Sequence, residues 1–167
     1  NNKNIFTLRT LDDAIKIKAS SKDKKEVIII GGGLLGLEIA NSFTDETRTI
    51  KVIEISPYLL SRQLNEAQSN KLKSLLETNG FKFYLDEMCS NIKTIDNKLY
   101  ITTKKNTKIS GDIILMSAGI KANLQLPKSS VIETDKGIKV NNYLQTSQPD
   151  IYAAGDCIQL NDKLWGF

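Results

Sequence analysis

Six consecutive residues, Gly31-Gly32-Gly33-Leu34-Leu35-Gly36, read G-x-G-x-x-G. Glycines at that spacing bring backbone N–H groups up to a bound phosphate when a strand feeds the turn and a helix leaves it. Gly31 would permit the tight turn, Gly33 would let the backbone approach a pyrophosphate, and Gly36 would let the helix pack on the strand. The alternative is a plain glycine turn. Glu54 follows Gly31 by 23 residues, close to the ~20 expected of an acid that accepts from ribose hydroxyls. The same carboxylate would repel a 2′-phosphate, so NADH is expected over NADPH. A solvated glutamate at a strand end is the other reading. Ser56, Tyr58 and Arg62 are candidates for the adenosine side, or for plain surface.

Three further groups lie along the chain. Glu38 sits two residues past Gly36. A helix start favours an acid there in its own right, and the functional reading turns it toward a nicotinamide; spacing does not choose between them. Ser117-Ala118-Gly119 has small residues where a strand ends, which suits either a bare turn or a chain passing close to a ligand. The run 146–156, Thr-Ser-Gln-Pro-Asp-Ile-Tyr-Ala-Ala-Gly-Asp, reads as a small apolar strand over 151–154 followed by Gly155-Asp156 on a tight turn. Asp156 alone could equally cap a helix.

The elements that would position these groups follow from pattern. Val27-Ile28-Ile29-Ile30 is an unbroken β-branched run, the mark of a strand buried on both faces. Thr10 reads as the N-cap of a short helix over 11–19. A helix over 34–43 would bury Leu35, Ile39 and Phe43. A strand over 50–55, a helix over 65–79 burying Leu72, Leu75 and Leu76 with Gly80 at its C′ position, and a strand over 81–84 complete a β-α-β-α-β series. Short strands over 90–95, 98–103 and 107–110, with turns at Asp96-Asn97 and Lys105-Asn106, predict an antiparallel meander. A fourth parallel strand spans 112–116. A hairpin is expected between 131–132 and 138–140 around Thr134-Asp135-Lys136-Gly137. The fold class is α/β, a Rossmann-like doubly wound parallel sheet of about four strands with the meander in place of one crossover helix.

Composition narrows the chemistry. The 167 residues hold 40% hydrophobic and 25% charged residues, as a globular domain does. The net charge of +4 comes from scattered lysines, so no nucleic-acid partner is expected. There is no histidine, which removes imidazole acid–base chemistry and the usual zinc sites. Cys89 and Cys157 form no CxxC pair, and both read as reduced thiols. The sequence carries no 18-residue apolar run, so no membrane partner and a cytoplasmic location are expected. Neither a catalytic residue nor a metal ligand is assigned. The chain opens on Asn1 and stops at Trp165-Gly166-Phe167, and both ends are expected to be cuts in a longer protein.

Taken together, these motifs resemble those of the two-dinucleotide-binding-domain flavoproteins. The similarity is narrower to the NADH-dependent nitrite reductase and NADH:rubredoxin reductase group of pyridine nucleotide-disulfide oxidoreductase-like enzymes. Residues 7–14 match the family's entry to its NAD domain, 30–40 its NAD fingerprint, 117–119 its second turn and 146–157 its second FAD motif. The resemblance implies that Gly31, Gly32, Gly33, Leu34, Leu35, Gly36 and Glu54 hold NADH, with Glu38, Ala118 and Gly119 toward the nicotinamide. It implies that Gly155 and Asp156 meet FAD in the full-length parent, Asp156 at the ribityl chain. It further implies a linker from the FAD domain over 1–24, an NAD(H)-binding domain over 25–120 and a returning FAD-domain segment over 121–167. The first FAD fingerprint, the redox cysteine of that region and the C-terminal interface domain have no counterpart here, so Cys157 reads as a packing thiol. The implied activity is hydride transfer from NADH to FAD, then electrons to an acceptor such as rubredoxin, a nitrite reductase centre or another small redox protein. The fragment alone is expected to turn nothing over, and the oligomeric state is left open. Two rivals are a non-catalytic NAD(H)-sensing regulatory module, which would not need Gly155-Asp156, and a dehydrogenase lacking its substrate domain, which would want a catalytic acid or base.

Overall fold

A computed structural model describes residues 3–45, 47–119 and 121–164. Asn1, Trp165-Gly166-Phe167 and the expected boundary residue 120 lie outside them. The chain divides into two compact units, Asn1–Gly119 and Ile120–Phe167.

In the first unit the elements run β1 (Ile5–Thr7), α1 (Leu11–Ser20), β2 (Glu26–Ile30), α2 (Leu34–Asn41), β3 (Thr49–Ile53), α3 (Glu66–Glu77) and β4 (Phe81–Tyr84). Then come β5 (Cys89–Ile95), β6 (Lys98–Thr103), β7 (Lys108–Gly111) and β8 (Ile113–Met116). Five strands form a parallel sheet in the order β1-β8-β2-β3-β4. Where about four were expected, the fifth is β1, which pairs with β8 from Ile5↔Ile114 to Thr7↔Met116. Within the stretch expected as a linker, residues 5–7 form this edge strand and residues 11–20 form α1.

Both faces of the sheet are covered, and this explains the unbroken apolar strands. Val27, Ile29, Ile50, Val52, Ile113 and Leu115 pack with Ile17 of α1 and with Leu37, Ile39, Ala40 and Phe43 from α2 and its end. On the other face Ile28, Ile30, Ile53 and Ile114 meet Leu99, Ile101 and Ile109 of the β5-β6-β7 meander. The meander thus does for one face what helices do for the other. Its first turn carries Asp96 and Asn97 at φ 49° and 62°, the left-handed pair that a two-residue hairpin turn requires.

Helix ends follow their sequence signals in two cases. Thr10 caps α1 in a reciprocal box with Asp13, and Asn65 caps α3 with Gln68. Gly80, expected at the C′ position of α3, falls two residues past the Thr78 C-cap with φ 84°. Two expected core positions are corrected. Leu75 is exposed, because the inward face of α3 is made by Ser69, Leu72 and Leu76. Leu35 is exposed as well. It stands in the first turn of α2, and the buried face there is made by Gly36, Leu37, Ile39 and Ala40.

One charged residue sits under the meander. Lys51, 8% exposed in the middle of β3, donates to Glu26 Oε1 at 2.5 Å and to the Ser110 carbonyl at 2.7 Å. Lys98 holds the other oxygen of Glu26 at 2.6 Å. Burial of Glu26 would raise its pKa, but hydrogen bonds and charge from Lys51 and Lys98 outweigh it and hold the carboxyl below its ordinary range. A depressed carboxyl pKa contributes stability that is complete above the unfolded value and is lost as pH falls through the folded one. Glu26→Gln is therefore expected to cost about 1–3 kcal/mol at neutral pH and to flatten the acid limb of the stability curve below pH ~4. Urea midpoints measured across that range check this; parallel curves for both proteins would refute it.

The second unit holds α4 (Gln125–Lys128), β9 (Ile138–Val140), β10 (Ile158–Leu160) and β11 (Lys163–Leu164). Of the hairpin expected between 131–132 and 138–140 only the turn and one antiparallel bridge form, with the Lys139 N–H on the Glu133 carbonyl and no strand at 131–132. Thr134 bridges Ile138 once, and β9 instead pairs parallel with β10. The cause is Gln159, 3% exposed, whose side chain accepts from the N–H groups of Lys136 and Gly137 and donates to Asp135. It ties the turn to β10. Nor is 151–154 a strand. Only Tyr152 bridges, to Gln145, and left-handed residues at Asp150 and Gly155 bound the run.

Candidate functional site

The glycine loop joins the end of β2 to α2, and its three fingerprint glycines are there for different reasons. Gly31 has φ 113°, and a Cβ on it would lie 2.2 Å from the Ser117 carbonyl oxygen. Its N–H donates to the Ile53 carbonyl at 2.8 Å. A Cβ on Gly36 would lie 2.0 Å from the Gly31 carbonyl oxygen, so α2 rests directly on the loop. Gly33 differs from both. Its φ of −77° suits any residue, and nothing lies within 4 Å of where its Cβ would be. Neither conformation nor packing inside this unit requires glycine at 33.

Gly33 is the N-cap of α2, and no side chain caps this helix. Its first turn also contains no acid. The free N–H groups and positive helix end therefore face outward beside a bare Cα. An anion too large to pass a side chain can reach them there.

Glu54 directly follows β3 and is half-buried. Both of its carboxylate oxygens are held by backbone: Oε2 accepts from the Gly32 N–H at 2.5 Å, and Oε1 accepts from the Ser56 N–H at 2.8 Å. Its own backbone is fixed by Glu54 N–H to the Tyr84 carbonyl and by Glu87 N–H to the Glu54 carbonyl, each at 2.9 Å. An ionised carboxylate offers about four acceptor positions. Two remain, one on each oxygen, for a pair of neighbouring hydroxyls. Ser56 accepts from the Ser61 hydroxyl at 3.1 Å, Tyr58 is half-buried and Arg62 is exposed.

Ser117 extends β8 toward the same loop. Its N–H donates to the Ile30 carbonyl at 2.8 Å, and its own carbonyl faces Gly31. Ala118 and Gly119 are exposed, and Gly119 has φ 82° with open space where a Cβ would be. Leu34, Leu35 and Glu38 lie on the exposed side of α2. Glu38 is the fifth residue of the helix, past the first turn, so the helix-start explanation for an acid there does not apply. The loop, Glu54 and Ala118-Gly119 thus gather where β2, β3 and β8 end.

Gly155 and Asp156 belong to the second unit. Gly155 has φ 83°, and its carbonyl accepts from the Ile158 N–H at 3.2 Å. Asp156 is exposed in the turn that enters β10. A strand follows and not a helix, which removes the capping alternative. Cys157 donates its thiol to the Ala154 carbonyl.

Two features of the site were not read from sequence: the hold of Gly32 on Glu54, and the Ser56 N–H on the other oxygen. Three glycines in a row were the available signal, since the pattern leaves the middle position open.

No helix among the described residues is long and apolar enough to cross a membrane. A family model described as pyridine nucleotide-disulphide oxidoreductase matches residues 1–165. A nitrite reductase [NAD(P)H] of Bacillus subtilis is 35% identical over 164 residues, which are 98% of this chain and 20% of that protein. An NADH-rubredoxin oxidoreductase of Clostridium acetobutylicum is also 35% identical, with 95% of this chain and 38% of that protein covered. The chain therefore spans between a fifth and two fifths of these relatives. Among solved structures, a ferredoxin reductase from Rhodopseudomonas palustris superposes with TM-score 0.85 at 25% identity, over 93% of this chain and 39% of that one. A water-forming NADH oxidase from Lactobacillus brevis, bound to NADH, shares the fold with TM-score 0.86 at 20% identity, over 95% of this chain and 35% of that one.

Proposed function

The chain belongs to the pyridine nucleotide-disulphide oxidoreductase family, and we propose that its first unit is the NADH-binding domain of an FAD-dependent oxidoreductase. The observation that carries this reading is Gly33. A glycine that neither its conformation nor its neighbours require, set at an uncapped helix start, is accounted for by a ligand that fills the space.

Each part of the site then has a role. The N–H groups of the first turn of α2 hold the pyrophosphate. Glu54 accepts from the adenosine ribose hydroxyls. Gly119 leaves the nicotinamide side open, and Glu38 lies near it on the exposed face of α2. In the second unit Gly155 and Asp156 belong to the FAD site of the whole protein, with Asp156 at the ribityl hydroxyls. Bound together, the two cofactors supply hydride transfer from nicotinamide to flavin; the protein's contribution is position and electrostatics. No side chain of this chain has to donate or take a proton.

The named relatives support an electron acceptor of the kind they serve: a nitrite-reducing centre, rubredoxin or another small redox protein. The chain alone covers one cofactor site and turns nothing over. The protein acts in the cytoplasm.

Glu54→Ala tests the assignment. Each charge-assisted hydrogen bond contributes roughly 1.5–3 kcal/mol, so NADH affinity is expected to fall about tenfold or more. NADPH affinity should fall less, because repulsion is removed with the carboxylate. Titration of both dinucleotides into the 167-residue chain reads the ratio. A ratio equal to that of the wild type would remove Glu54 from the ribose.

A further inference from the structure

We propose that Gly32 is a specificity-determining position, which acts by holding the Glu54 carboxylate in the orientation that accepts a ribose diol. This rests on reading the site as one for NADH.

The G-x-G-x-x-G pattern does not call for a glycine at 32. Nor does conformation: among the described residues the glycines with positive φ are Gly31, Gly80, Gly119 and Gly155. What lies against the bare Cα is Glu54 and its support. A Cβ on Gly32 would sit 3.1 Å from Glu54 Cβ, 3.2 Å from Glu54 Cγ and 3.0 Å from a methyl of Leu59. Leu59 is fully buried and has little room to retreat. Glu54 Cβ is set by a hydrogen-bonded backbone, so the part that yields is Glu54 from Cγ outward, and a turn about its first torsion carries the carboxylate off the Gly32 N–H.

The same residue also donates the N–H that holds Glu54 Oε2 at 2.5 Å. Missing side chain and hydrogen bond act in one direction: the stem of the glutamate closes down on the loop, and its oxygen docks on the amide beneath. With Oε1 on the Ser56 N–H, the carboxylate cannot swing aside. A 2′-phosphate would meet a fixed negative charge, whereas a free glutamate could turn away from it. Discrimination against NADPH thus depends on Gly32 as well as on the charge of Glu54.

Gly32→Ala asks the neighbours to give by only a few tenths of an ångström, so the chain is expected to fold. Its preference for NADH over NADPH should shrink by roughly fivefold to tenfold, the scale of one well-placed hydrogen bond to a charged group. In a Glu54→Ala background the same substitution should leave the ratio where Glu54→Ala puts it. A wild-type ratio in Gly32→Ala, or an equal further change in the Glu54→Ala background, would overturn the proposal. If the wild-type chain bound neither dinucleotide, the NADH reading itself would fail, which is a different result. Amide hydrogen exchange gives an answer independent of folding in Gly32→Ala. The Gly32 N–H should lose protection in Glu54→Ala while the β2 amides keep theirs, and unchanged protection at Gly32 would show that Glu54 does not hold it.

Discussion

Replacing Gly33 by valine is expected to abolish NADH binding while leaving the fold intact. The valine would have the same extended backbone, at φ −77°, and its Cβ would project into open space. The stability terms nearly cancel. Valine is a poorer N-cap than glycine, but losing a glycine lowers the entropy of the unfolded chain by about 0.4–1 kcal/mol. Binding has no such compensation. The branched side chain would occupy the space in front of the free N–H groups of α2, where the pyrophosphate must come. A loss of at least about a hundredfold, near 3 kcal/mol, is expected in NADH affinity. Titration gives the affinity, and circular dichroism with a thermal melt gives the fold. Retained affinity would make Gly33 an ordinary turn residue and take the ligand reading with it.

Gly31→Ala should do the reverse and act on the fold. Here the backbone is at φ 113°, and the new Cβ would stand 2.2 Å from the Ser117 carbonyl oxygen and 2.7 Å from its carbon. Both are backbone atoms at the end of a central strand, and they cannot rotate away. Strained backbone costs about 1–3 kcal/mol and forced overpacking about as much again. Set against the 5–15 kcal/mol that holds a domain together, a loss near ~4 kcal/mol lowers the melting temperature by roughly 10 °C or leaves the chain unfolded. A melt unchanged from the wild type would mean that β2 and β8 do not approach as described. If instead Gly31→Ala loses stability and Gly33→Val loses only affinity, two glycines two residues apart in one motif separate cleanly, one serving the fold and the other the ligand.

What could be read from sequence follows from how local each signal is. The 27–30 run of β2 is apolar at every position because both its faces are buried, and Thr10 announces a helix start through its own residue type. β1 has three residues and one partner strand more than a hundred positions away, so nothing near it in sequence marks it as a strand. The parallel pairing of β9 with β10 is equally remote, and it depends on Gln159 binding a turn over 20 residues earlier. Leu35 and Leu75 fit helical spacing, but spacing does not say which side of a helix meets the sheet. Lys51 interrupts an apolar strand, and only its two distant oxygen partners explain its burial.

The site divides in the same way. Motif and interval single out Gly31, Gly36 and Glu54, and the structure gives the two glycines a steric reason and the carboxylate two backbone donors. At Gly33 the sequence leaves turn and ligand open, and the open space around its Cα is the observation on which the proposed ligand role rests. The hold of Gly32 on Glu54 crosses 22 residues and has no signature except a third glycine.

The dinucleotide site proposed in the first unit is expected to work with a flavin. This pairing is tested most directly on the full-length protein, by recording its visible spectrum and then adding NADH in the absence of oxygen. A flavin band that bleaches on addition is the predicted result. A colourless protein that still binds NADH would contradict the flavin pairing and make this chain part of a sensing module.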